Sequence, residues 1–296
     1  MSEAITRNES ATTSGAAVTD GAATVYSLAV RDVHPMQVAW TMTMRDMRLL
    51  LRKQLVAFLL RVLVVPLLLL FTFSYVLPVT GGSLNGSGTS LGTVIIPGII
   101  AATVVFAGIM GVTVPMIAQL TFPREIDDRL VMPIPVWGIA LQKIVSGTIQ
   151  ALIAALIVVP LLIFVHAPHQ PPHLHVTSWP ELMVVFFFAG TLSAGLGLLI
   201  GTLLDPMRIN MLFSVIMTPA MMLGCMYFSW PSLARIRWLQ VAVLFNPIVY
   251  MSEAFRANLT PTVSHMDSWA FLLALIGGTL LTALLGTVTF RRRVRR

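Results

Sequence analysis

The chain has 296 residues, of which 56% are hydrophobic and only 10% are charged, and its formal net charge at neutral pH is +7. A soluble domain of this length has no interior large enough to bury so much apolar surface, so the composition excludes an ordinary soluble protein. It indicates an all-α integral membrane protein. Attraction to anionic lipid headgroups explains the positive charge, so no nucleic-acid partner is expected.

Two segments precede the first predicted span. Residues 1–34 are rich in Ala, Thr, Ser and Gly without apolar periodicity, which predicts a disordered cytoplasmic tail. Residues 35–54 predict an amphipathic helix in the inner membrane interface. Its predicted apolar side carries Trp40, Met44, Met47 and Leu51. Its polar side carries three residues expected to contact a cytoplasmic partner, Arg45, Arg48 and Arg52. The alternative is a basic membrane anchor that contacts no partner.

Residues 55–296 predict one domain of six transmembrane helices, because six stretches each contain enough apolar residues to cross about 30 Å of hydrocarbon. The predicted spans are residues 57–77, 93–117, 139–165, 182–204, 211–228 and 269–290. The first two form a hairpin, since the Gly-, Ser- and Asn-rich residues 81–90 favour a polar turn. Gly197 and Gly201 have the G-x-x-x-G spacing that permits close approach of a neighbouring helix.

Lys and Arg flank the spans asymmetrically. They precede the first span, occur in the loops after spans two and four, and end the chain in "FRRRVRR", whereas the loops after spans one and three contain neither. Because cytoplasmic loops retain Lys and Arg, both termini are predicted to be cytoplasmic and the chain to cross the plasma membrane. The loop after span five is an exception, since it contains Arg235, Arg237 and Arg256.

The loop between spans two and three, "TFPREIDDRLVMPIP", concentrates charge of both signs in one helical turn. Mixed charge followed by two prolines predicts a short surface helix that docks into a polar groove of another protein, where charge pairs set register. The residues expected to dock are Arg124, Glu125, Asp127, Asp128, Arg129 and Leu130. The alternative is a solvated loop, which accounts for the basic residues but not for the interleaved acids.

A second dense region lies between spans five and six. Residues 233–245 are too short to cross a bilayer, and an Asn-Pro pair separates them from another short helical stretch, residues 248–258. Broken backbone at membrane depth is tolerated where it is buried in protein or lines a cavity, so a re-entrant helix pair at the outer end of a pathway is predicted. Its predicted gate residues are Asn246, Pro247, Tyr250, Glu253 and Arg256. The alternative is an amphipathic cap on the outer leaflet.

Several kinds of site are missing from the sequence. There is no G-x-x-x-x-G-K-[ST] phosphate loop, no H-E-x-x-H and no G-x-S-x-G, so the chain is not expected to be an enzyme or to bind a cofactor. Spans nearly free of ionisable groups disfavour an ion-coupled carrier. No metal site is predicted, because a flexible Pro-rich outer loop accounts for the histidines in "HAPHQPPHLH"; the alternative is that these histidines bind a metal. These are His166, His169, His173 and His175.

The order of these features resembles the permease subunits of type two ABC exporters, the family of daunorubicin-resistance, polysaccharide and lipid export permeases. The resemblance covers residues 35–295 and is carried by "PREIDDRLVMPIPVWGIALQKI" and "NPIVYMSEAFRANL". It implies a dimer with an identical or sister permease and two cytoplasmic ABC ATPase subunits that hold ATP and Mg. It further implies that the charged loop is the coupling helix, that residues 35–54 are a second ATPase contact, and that residues 233–258 gate the outer end. The stretch of residues 125–133 is shorter than in many members.

The function predicted from the sequence is outward transport of an amphipathic, lipid-like or drug-like molecule, or of a polysaccharide, powered by the partner ATPase. The alternative is a membrane scaffold or sensor that transports nothing and whose charged loop docks a signalling protein.

Overall fold

The computed structural model describes residues 35–77, 91–121, 136–164, 174–204, 215 and 217–294. Within these ranges the chain is helical and contains no strand, in agreement with the all-α prediction. The helices are α1 Pro35–Lys53, α2 Leu55–Leu70, α3 Leu91–Thr121, α4 Val136–Phe164, α5 Trp179–Leu203, α6 Thr218–Met222, α7 Arg237–Ala242, α8 Pro247–Leu259 and α9 Ser268–Val294. A π-helical turn, Phe71–Val76, continues α2, and 3-10 turns Trp230–Arg235 and Val243–Phe245 flank α7.

Five of the described helices are long and apolar enough to cross a membrane. They are Leu55–Phe73, Gly92–Ala118, Trp137–Phe164, Trp179–Leu203 and Ser268–Arg293. The predicted fifth span differs, because its described helix, α6, ends at Met222 and residues 223–228 form turns and bends. Residues 205–214 lie outside the described ranges. A membrane crossing by this segment therefore stays a prediction.

The centre of the bundle is formed by α3 and α5, which approach each other closely. A Cβ on Gly197 would lie 2.7 Å from the carbonyl oxygen of Ile109, and the hydroxyl of Thr113 donates a 2.9 Å hydrogen bond to the carbonyl of Gly197. A Cβ on Gly201 would lie 3.3 Å from the side chain of Met116. The small residues predicted to admit a neighbouring helix therefore do so, and the neighbour belongs to the same chain.

The helices α2 and α9 lie at the periphery. Of the most apolar stretch of each helix, only 18% is buried inside the chain in α2 and 28% in α9, against 72% in α3. Their outward sides carry large apolar residues, including Leu60, Leu68, Leu280 and Leu284. Such surfaces are stable in contact with lipid chains, which are as apolar as leucine.

Contacts between helix termini show which of them lie at the same end of the bundle. At the upper end, the backbone N–H of His175, just before α5, donates to the carbonyl of Leu259 at the end of α8, over 2.9 Å. At the lower end, the guanidinium of Arg293 in α9 donates to the carbonyl of Leu204 after α5, over 3.1 Å. The beginning of α4 lies at the lower end too, since Ile139 belongs to the same apolar cluster as residues near the ends of α3 and α9.

Candidate functional site

The Asn-Pro pair that separates the two short helical stretches caps α8. The side-chain oxygen of Asn246 accepts a 3.1 Å hydrogen bond from the N–H of Ile248, and Pro247 occupies the first helical position, where its missing N–H costs nothing. The side-chain amide of Asn246 also donates to the carbonyl of Ala220 in α6 over 2.5 Å. One side chain thus starts α8 and attaches it to the end of α6.

Glu253 and Arg256 form an ion pair on α8 that is fully buried, with both side chains 0% exposed. A guanidinium nitrogen of Arg256 donates directly to Oε1 of Glu253. The carboxylate also accepts two backbone hydrogen bonds of 2.9 Å, from Trp230 at Oε1 and from Met266 at Oε2. Glu253 therefore holds the turn before α7 and the loop before α9 against α8.

Arg256 reaches two further backbone segments. Its Nη2 donates to the carbonyl of Cys225 over 3.0 Å and to that of Val94, in the first turn of α3, over 3.5 Å. Burial lowers the pKa of Arg256, while the negative charge of Glu253 acts in the opposite direction. A buried charge without a partner is costly, so the pair and its carbonyl acceptors are interdependent. We call Asn246, Glu253 and Arg256, with the backbone groups they bind, the α8 clamp.

The turn held by the clamp has a backbone conformation that is rare for its residue type. Cys225 is fully buried and has a φ of 53°, in the left-handed region that disfavours residues with a Cβ. The hydroxyl of Ser252 donates a 2.7 Å hydrogen bond to the carbonyl of Gly224, and a Cβ on Gly224 would lie 2.6 Å from a methyl carbon of Ile248. The surrounding contacts with α8 stabilise this tight turn. The turn follows the C-terminal end of α6, the described helix of the fifth predicted span.

Four of the five predicted gate residues thus lie on α8, and the fifth, Asn246, caps it. Tyr250 contributes a 2.9 Å hydrogen bond from its hydroxyl to the carbonyl of Leu244. In this conformation Glu253 and Arg256 lie inside the protein and contact backbone groups, so they position the surrounding segments and do not line an aqueous passage. That the helix pair is re-entrant and acts as a gate stays a prediction.

A second polar contact joins α1 to α4 at the lower end. The carboxylate of Asp46 lies 3.9 Å from the ammonium of Lys143 and accepts a 3.1 Å hydrogen bond from the side-chain amide of Gln142. The Lys143 side chain is only 4% exposed. This pair was not predicted from the sequence, although Asp46 is the one acidic residue in the predicted amphipathic helix. We call it the lower contact.

Asp46 lies on the side of α1 that packs on the protein. Residues at i and i+4 share a helix face, so the face of Asp46 also carries Met42 and Leu50, and both are buried. Of the predicted apolar side, Met47 is buried, whereas Trp40 and Leu51 are exposed. The predicted partner-contacting residues are exposed and border an open groove: Arg45, Arg48 and Arg52. That they contact a partner stays a prediction.

A family model described as "ABC-2 type transporter" matches residues 37–260, which run from α1 to just beyond α8. The chain belongs to the ABC-2 type transporter family. It is therefore a multi-pass membrane protein and a permease component of an ABC transporter. No curated protein and no solved structure matches the chain significantly.

Within this ABC-2 type transporter, the matched segment contains the three side chains of the α8 clamp and the lower contact, whereas Met266, whose N–H binds Glu253, lies beyond it. The predicted coupling residues lie outside the described part of the chain: Arg124, Glu125, Asp127, Asp128, Arg129 and Leu130. His166, His169 and His173 also lie outside it, while His175 is described and exposed. The described residues include no group of three or more His, Cys, Asp or Glu side chains that could hold a metal ion.

Proposed function

We propose that the chain is the membrane-spanning subunit of an ATP-driven exporter in the plasma membrane. It would move an amphipathic, lipid-like or drug-like molecule outward, together with a second permease and with cytoplasmic ATPase subunits that hold ATP and Mg. Family membership, the apolar helices and the absence of a phosphate loop from the sequence support this proposal.

The lower contact supports coupling between the ATPase subunits and the membrane helices. It ties α1, one predicted ATPase contact, to Lys143 in α4. Helix α4 begins at Val136, and five residues separate it from the other predicted contact, residues 124–130. Lys143 is seven residues into α4, about 10 Å along its axis at the usual helical rise. A displacement produced by an ATPase at either contact would therefore reach the same part of the bundle.

The helix α3 offers a direct route from that region to the upper end. It has 31 residues and spans about 46 Å. Its last residue, Thr121, immediately precedes the predicted coupling loop, and its first turn supplies the Val94 carbonyl that faces Arg256. We propose that movement of the loop shifts α3 and thereby the α8 clamp, which alters the outer end of the pathway.

The experiment that tests this proposal is vanadate-sensitive ATP hydrolysis by the chain reconstituted in nanodiscs with the ATPase encoded nearest to it. The variant Glu125→Lys/Asp128→Lys should insert normally but lose the effect of the permease on ATP turnover. The control is Asp267→Lys, which reverses an exposed acid just before α9 at the upper end and should leave coupling intact.

Two results would argue against the proposal. Normal coupling by the double variant would remove the role of the loop. If the chain and the ATPase neither associate nor affect each other's activity, the loop docks another protein, and the scaffold or sensor becomes the better interpretation.

A further inference from the structure

The segment between the α6 turn and α8 is held to the protein along one side. We call residues 230–245 the upper arm. Its inner side carries Leu233 and Val243, which are buried in one apolar cluster with Cys225 and Val249. The indole N–H of Trp230 donates a 3.1 Å hydrogen bond to the carbonyl of Gln240, across the arm. The arm is therefore a fixed element with a defined outer side.

The outer side of the upper arm is strongly apolar. Trp238, Val241 and Phe245 are spaced at i, i+3 and i+7 and are 74%, 59% and 89% exposed. Large apolar residues clustered in this way on a surface mark a contact with lipid or with another protein. Two exposed cations precede this apolar stripe, Arg235 and Arg237.

Other tryptophans indicate the level of the arm in the membrane. Trp179 and Trp269 begin α5 and α9 at the same upper end and are 64% and 71% exposed, as expected of an aromatic belt at a membrane interface. Trp269 is 22 residues from Arg291, near the lower end of α9. At the helical rise this is about 33 Å, close to the hydrocarbon thickness of about 30 Å. The upper end thus lies at headgroup level.

We propose that the upper arm is a binding site for anionic phospholipid in the leaflet at the upper end. Its apolar side enters the boundary of the acyl chains, and Arg235 and Arg237 bind the phosphate groups, for which the guanidinium is well suited because it donates paired hydrogen bonds. This inference goes beyond transport, since it requires only that the chain spans a membrane.

Charge favours lipid over a second copy of the chain as the occupant. If two arms met across a twofold axis, their arginines would approach one another, and like charges in contact are unfavourable. Phospholipid phosphates supply the opposite charge. The arm also continues through Asn246 into the α8 clamp, so a bound lipid would hold the segment that the clamp organises.

The test uses the full chain in nanodiscs of phosphatidylcholine and phosphatidylglycerol, with bromine on the acyl chains of one lipid at a time. Bromine quenches nearby tryptophan, and the signal of Trp238 is obtained as the difference between the wild type and Trp238→Phe. About 1 kcal/mol per arginine gives about 2 kcal/mol for the pair, which corresponds to about thirtyfold enrichment of phosphatidylglycerol at the arm. Brominated phosphatidylglycerol should therefore quench Trp238 more than brominated phosphatidylcholine at equal mole fraction.

The variant Arg235→Gln/Arg237→Gln should lose this preference while quenching by lipid in general persists. The control is Arg291→Gln/Arg292→Gln, which removes two exposed cations at the lower end and should retain the preference. Equal quenching by both lipids in the wild type would overturn headgroup recognition. Absence of quenching by either lipid would show that the arm is covered by protein and would overturn the proposal as a whole.

Discussion

Replacing Glu253 with Gln is expected to open the upper end of the bundle, because it leaves the positive charge of Arg256 buried without its carboxylate. Both side chains are 0% exposed, so water does not compensate. A neutral amide has one acceptor oxygen, so it cannot serve both the Trp230 and the Met266 N–H groups that the carboxylate binds at 2.9 Å. An unpaired buried charge and a lost hydrogen bond together cost about 3 kcal/mol of local stability.

Cys225 provides the assay for this opening. It is the one cysteine in the chain, it is fully buried, and its carbonyl accepts a 3.0 Å hydrogen bond from Arg256. A maleimide therefore labels the thiol when the clamp opens. Since about 1.4 kcal/mol corresponds to a factor of ten, Glu253→Gln should raise the labelling rate in nanodiscs about a hundredfold.

The control is Asp267→Asn, which neutralises an exposed acid at the same end and should label as slowly as the wild type. Labelling of Glu253→Gln at the wild-type rate would refute the claim that the buried pair holds this turn.

Three further substitutions test the packing, the cap and the lower contact. Gly197→Ala places a Cβ 2.7 Å from a carbonyl oxygen of α3 and should lower the melting temperature by the equivalent of about 2 kcal/mol. The control is Gly277→Ala, whose Cβ would have no atom within 4 Å and which should leave the melting temperature unchanged. Equal melting temperatures of the two variants would contradict close packing of α3 and α5. Asn246→Ala removes the cap of α8 and should cost about 1 kcal/mol in thermal unfolding, whereas an unchanged midpoint would show that the cap is dispensable. Asp46→Asn removes the carboxylate 3.9 Å from Lys143 and should raise amide hydrogen exchange in α1 about tenfold; unchanged exchange would mean that apolar contacts alone hold α1.

Features with a local physical cause were predictable from the sequence. Apolar length and the absence of charge indicated the helices that begin at Leu55, Leu91, Val136, Trp179 and Ser268, because a bilayer demands a minimum apolar run whatever the neighbours are. The interruption before α8 was predictable for the same kind of reason, since Asn caps a helix and Pro is tolerated at its first turn.

Features that depend on distant partners were not predictable. Asp46 lies within 3.8 Å of the guanidinium of its neighbour Arg45, but its carboxylate also contacts Lys143, 97 positions away. Such a pairing requires the packing of α1 on α4. The residue pattern of a single helix does not predict which other helix it packs against.

The sequence by itself determined the helical membrane class, the polar face of α1 and the presence of an acid and a base one turn apart on α8. Only the tertiary structure decided that Glu253 and Arg256 are wholly buried and that they bind backbone groups 23, 13 and 31 residues away. The physical reason is that spacing along a helix places side chains on a common face, whereas the groups opposite that face are chosen by how separate helices pack.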